Sequence, residues 1–98
     1  MKFVSHHDIE ATSNEVIDRY SDPETKLTVQ ILDDSAVLIE GNANSLEFLA
    51  NYILAYINDG WHSLNINPNG AGGDFFTSKS THGIYIHILP CRHGHPED

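Results

Sequence analysis

The sequence predicts an α+β domain, with a four-stranded mixed or antiparallel sheet in ββαββ order and one helix packed on one face. Three observations predict it. Two apolar runs flank a tight turn near residue 34, a long segment after residue 45 repeats its apolar positions every three or four residues, and two runs of alternating faces follow it. Strands show a side-chain period of two and helices one of 3.6, so these patterns separate the elements. Ninety-eight residues hold one domain with one core of modest size. Residues 1–25 read as an N-terminal arm, residues 26–90 as the ββαββ domain and residues 91–98 as a polar tail.

The arm has a turn signal at Asp22-Pro23 and a short stretch of helical spacing, Val16, Ile17 and Tyr20, with Ser13 as its candidate N-cap. From Lys26 the strand pattern is clear. Leu27, Val29 and Ile31 alternate with Thr28, Gln30 and Leu32, the turn Asp33-Asp34-Ser35 follows, and Ala36 to Glu40 returns as the second arm of a hairpin. Gly41 breaks the strand. Asn42 or Asn44 then caps a helix over about residues 45–58, which Asp59-Gly60 ends.

That helix has two apolar stripes. Leu46, Leu49, Ala50, Ile53 and Ile57 form the expected core face, while Phe48, Tyr52 and Tyr56 lie to one side. The N-terminal arm is one cover for the aromatic stripe; a partner or a second copy is another. A third strand over residues 61–67 places His62, Leu64 and Ile66 inward. A last strand over residues 83–89 turns Ile84, Ile86 and Ile88 inward and Tyr85 and His87 outward. One helix leaves the other sheet face open, and Trp61, Asn65, Tyr85 and His87 belong there, with Leu38 a further candidate; tryptophan, tyrosine and histidine are types that recognition surfaces favour.

Composition narrows the function. Fourteen carboxylates face five basic groups, for a net charge of -9. A field of that sign repels phosphate backbones and favours encounter with a basic partner, so nucleic acid is not expected as a ligand. The longest mostly apolar run, residues 48–57, falls well short of the roughly 20 residues of a bilayer span. The first eight residues lack an apolar signal core, and a single cysteine, Cys91, makes no internal disulfide; both readings point to the cytoplasm.

No catalytic motif emerges. The stretch from Gly73 to Lys79-Ser80 resembles a phosphate loop but has Ser78 where the second glycine must stand, and a strand follows instead of a helix. No serine stands marked beside a base, so the chain reads as a non-enzyme without a cofactor. The loop over residues 69–81 reads as an ordinary flexible connection, or as one that displays Phe75 and Phe76 to a partner. Among seven histidines, the tail set Cys91, His93 and His95 has donor atoms suited to zinc, and His62, His82 and His87 lie on or beside strands.

Three runs, Ile39-Glu40-Gly41-Asn42, Leu46-Glu47-Phe48-Leu49-Ala50 and Trp61-His62-Ser63-Leu64-Asn65-Ile66-Asn67-Pro68, resemble a bacterial immunity-protein family of polymorphic toxin systems, the one numbered thirty-two. The resemblance covers residues 27–89. The chain departs from the family at Asn67, where an acid is usual, at Ser63-Leu64, where a second His-Leu is expected, and in its long glycine-rich loop. The resemblance implies neutralisation of a cognate toxin by steric cover of its active site, aided by negative charge where the toxin is a basic nuclease. The residues then expected at the interface are Asp33, Asp34, Trp61, Asp74, Phe75, Phe76, Tyr85 and His87. Two alternatives stand beside it: a metal- or small-ligand-binding domain using the histidines, and a self-associating module, such as a homodimer, using the aromatic stripe or a strand edge.

Overall fold

The computed structural model describes residues 3–33 and 35–90, so Asp34 of the expected interface and the tail set Cys91, His93 and His95 lie outside the described residues. The elements run α1 (Ser13–Arg19), β1 (Thr28–Leu32), β2 (Ala36–Glu40), α2 (Ala43–Asn58), β3 (Ser63–Ile66) and β4 (Ile84–His87), with short 3₁₀ turns at His6–Asp8 and Gly73–Phe75. The class is α+β, as expected. No helix among the described residues is long and apolar enough to cross a membrane.

Helix α1 is set by a reciprocal cap one residue earlier than expected. The Glu15 N–H donates to the Thr12 hydroxyl at 3.2 Å, and the Thr12 N–H donates to the Glu15 carboxylate at 2.8 Å. These bonds hold the Glu15 carboxyl below its ordinary proton affinity. Ser13, the expected cap, instead donates its free N–H to the Asp59 carboxylate at 2.9 Å. That bond ties the start of α1 to the end of α2.

Helix α2 starts where Asn42 accepts the Ser45 N–H at 2.8 Å and stops at Gly60, whose φ of 85° suits a residue without Cβ. Its buried face is Ser45, Phe48, Leu49, Tyr52 and Ala55. The expected core stripe is therefore corrected. Leu49 alone of that set is buried; Ile53 and Ile57 are half-buried, and Leu46 and Ala50 are exposed. The aromatic stripe prevails because its rings find partners: Phe48 stacks on Phe75 at 4.2 Å and on Tyr52 at 5.3 Å, and Tyr20 closes over it at 5.8 Å. Each ring buries more apolar area than a leucine and adds a favourable pair geometry. Val16 and Tyr20 of the N-terminal segment thus belong to the same core as Leu27, Val29, Leu64, Ile66 and Ile84.

Tyr20 brings a polar end with it. Its hydroxyl donates to the Glu47 carboxylate at 2.5 Å and accepts from the Asn51 amide at 3.1 Å, tying α1 to α2 at the margin of the core. Burial first, and the Glu47 carboxylate next, raise the proton affinity of the Tyr20 phenol. Burial likewise raises that of Tyr52.

The single four-stranded sheet is not what forms. Among the described residues the strands make two separate two-stranded antiparallel sheets, β1–β2 and β3–β4. The chain between them explains the break. The Leu27 N–H donates to the Phe75 carbonyl at 2.7 Å, and the Thr77 N–H donates back to the Leu27 carbonyl at 2.8 Å, one parallel bridge beside β1. A turn then closes from the Ser80 N–H to the Thr77 carbonyl and lifts the backbone out of line. The Ser80 hydroxyl fills the gap, accepting from the Val29 N–H at 3.1 Å and donating to the Leu27 carbonyl at 3.0 Å. The Thr28 and Thr77 hydroxyls meet at 2.6 Å alongside. Side-chain oxygens thus interrupt what would be a regular ladder, and the segment over residues 75–82 runs beside β1 without joining the hairpins into one sheet.

Candidate partner-binding surface

The hairpin of β3 and β4 pairs Ser63 with His87, Leu64 with Ile86, Asn65 with Tyr85 and Ile66 with Ile84. Leu64, Ile66 and Ile84 are buried, which fixes the register, since a slip of one residue would expose all three. The alternate residues, Ser63, Asn65, Tyr85 and His87, are therefore forced outward and are exposed. Tyr85 is 62% exposed, and its ring lies nearly parallel to that of His87 at 6.4 Å. The structure thus brings these two expected residues together on one rigid face.

Trp61 reaches its place differently. β3 begins only at Ser63, so Trp61 precedes the ladder and is not positioned by strand alternation. Its N–H donates to the Tyr56 carbonyl at 3.1 Å, capping the end of α2, and its ring lies 6.3 Å from that of Tyr56. It remains 58% exposed.

Asp33 and Asp74 belong to turns rather than to this hairpin's strands. Asp33 sits in the β1–β2 turn with φ of 51°, a left-handed conformation that aspartate tolerates. Asp74 is exposed on the 3₁₀ turn of the glycine-rich loop, where the Lys26 ammonium donates to its carbonyl. An open groove of about 890 Å³ runs here, lined among others by Ile17, Asp22, Pro23, Lys26, Asp74 and Phe75. Sequence reading missed this groove. Asp22-Pro23 and the glycine cluster each signalled a turn, but nothing local says that two loops meet.

Phe75 and Phe76 require a correction. Both are buried, at 7% and 6% exposure, and belong to the core. The 3₁₀ turn and the Leu27 bridge draw the loop inward, and Phe75 supplies the ring that stacks on Phe48. Of the histidines, His62 accepts the Ile88 N–H at its carbonyl at 2.7 Å, and His82 Nδ1 lies 2.8 Å from the Thr81 hydroxyl. Among the described residues no three His, Cys, Asp or Glu side chains gather closely enough to hold a metal ion. Compared with known proteins, the chain matches no family profile, no curated protein and no solved structure.

Proposed function

We propose that this protein acts by binding rather than by catalysis, and that its partner is a basic protein met in the cytoplasm. An immunity protein that covers the active site of a cognate bacterial toxin is the form of this activity implied by the sequence resemblance. One observation carries the reading: Tyr85 and Trp61 are each more than half exposed, with Tyr85 held on a ladder whose opposite face is core. Large aromatic side chains kept in water on a rigid element contribute little to folding and are the anchors that interfaces use most. The net charge of -9 supports a basic partner, and Asp33, Asp74 and the groove beside Asp74 add exposed carboxylates.

The test is co-expression with the product of the neighbouring gene, followed by copurification and a growth-protection assay. Tyr85→Ala and Trp61→Ala are each expected to weaken capture about 10- to 100-fold, the range of an interface anchor, while the circular dichroism spectrum is kept. If the neighbouring product is neither bound nor neutralised, the immunity reading fails. If it is bound equally well by both variants, the surface assignment fails.

A further inference from the structure

Among the described residues, β2 is paired on one side only, by β1. β1 points the backbone groups of Val29 away from β2, since its carbonyl accepts from the Thr81 N–H at 2.9 Å and its N–H donates to Ser80. Val29 faces Ile39, and Ile31 faces Val37. In an antiparallel pair the hydrogen-bonding direction alternates residue by residue, so these are the non-bonded pairs. The N–H and C=O groups of Val37 and Ile39 therefore point outward along the β2 edge. No other strand among the described residues pairs with that edge. The same two residues expose their side chains, at 60% and 40%, beside Ile31 at 44%. An apolar edge strand with open amides is a pairing template that proteins ordinarily block with charge, proline or a bulge. In β2 the one such device is Glu40 at its very end; Ala36-Val37-Leu38-Ile39 carries none.

We propose that two copies of this chain associate through antiparallel β2–β2 pairing about a two-fold axis at Leu38, giving a four-stranded intermolecular sheet. That axis sets Val37 against Ile39 of the second copy, twice over, so the two outward residues of each strand satisfy four backbone hydrogen bonds. It extends one apolar row across the seam, from Ile31 and Val37 of one copy to Ile39 and Val29 of the other. Charge selects the same register. With the axis at Leu38, Glu40 lies opposite Ala36; with the axis at Val37, Glu40 would be carried toward the acidic Asp33 turn. An axis at Ile39 would run Val37 into Gly41, where the strand has ended. The interface is isologous and closed, so association stops at the dimer.

Sedimentation of the full chain over a range of concentrations reads the association directly. A concentration-dependent shift from one to two chains is expected, strengthened by salt, which screens the repulsion of two acidic copies. Val37→Lys, at an exposed position, is expected to abolish the shift. Cross-linking then reads the register. In a Cys91→Ser background, Leu38→Cys places two thiols on the axis, about 4.5 Å apart between Cα atoms and within disulfide reach. Ala36→Cys separates them by four residues, roughly 13 Å at the strand rise. Rapid oxidation of the first to a covalent dimer and at least a tenfold slower reaction of the second is the expected result. A chain that sediments as a single copy at every concentration, or equal cross-linking of the two variants, overturns the proposal.

Discussion

Ser45 shows how much one small polar side chain organises. Fully buried on the first turn of α2, it accepts the Lys26 N–H at 2.9 Å and meets Asn42 Oδ1 at 2.7 Å. Asn42 also reaches the Glu24 carbonyl at 3.3 Å, so the segment entering β1 is stitched to the helix start. Gly41 stands in the same junction because a Cβ there would come within 2.9 Å of the Ser45 Cβ and 3.0 Å of the Lys26 carbonyl. The Glu40-Gly41 step, read from the sequence only as a strand breaker, is a packing requirement. Tyr20 and Tyr52 give a pH dependence. Both phenols have proton affinities raised above the ordinary value near 10 by burial. A raised folded value favours the neutral form, so their contribution is complete below the unfolded value of 10 and is lost as pH rises beyond it. Denaturant midpoints are expected to be flat from neutrality to about pH 9 and to fall above pH 10. Tyr20→Phe, which removes one of the two titrations, should reduce that alkaline slope.

At the level of elements, local signals are legible in the sequence and distant ones are not. Strand β2 follows from a short β-branched run and the β3–β4 alternation from a period of two within five or so residues, which is why Tyr85 and His87 face outward as expected. Helix α2 was evident, but the choice between its stripes depended on Tyr20, which lies 27 residues before Glu47, its hydrogen-bond partner, and on Phe75 beyond β3. Neither contact is visible in the helix itself. Trp61 lies before the strand rather than in it because its N–H caps α2 and the ladder starts only at Ser63. The β3–β4 hairpin also has a demanding spot at Gly83. A Cβ there would lie 2.5 Å from the Ile66 carbonyl and 2.4 Å from the Asn67 Cβ, and backbone cannot step aside. Gly83→Ala is expected to part the strands at that end and cost about 2–4 kcal/mol, readable in the denaturant midpoint. The loss should spread to the Tyr85 ring environment in its NMR shifts.

For the molecule as a whole, charge and shape act on different ranges. Most of the carboxylates are exposed, and their summed field reaches about 8 Å at physiological salt. If the proposed partner is basic, association should slow roughly tenfold between low and high salt while dissociation changes little, since steering acts on encounter and the aromatic anchors on residence. Stopped-flow or surface-binding kinetics separate the two; a dissociation rate that carries most of the salt effect would place the charges inside the contact instead. The candidate surface was legible where strand alternation dictated it. It was illegible at Phe75 and Phe76, whose burial follows from pairing with Leu27, far earlier in the chain.

The joint at Ser80 has a practical corollary. Thr28 and Thr77, which meet across it, are 49 residues apart in sequence, so closing that loop carries an entropy cost near 3.5 kcal/mol that no single hydroxyl contact repays. A two-stranded hairpin on its own is marginal in water. The aromatic face of β3–β4 therefore cannot be excised as a short peptide and keep its shape. Any mimic of it must carry α2 and β1 along, and the smallest useful scaffold is nearly the entire chain.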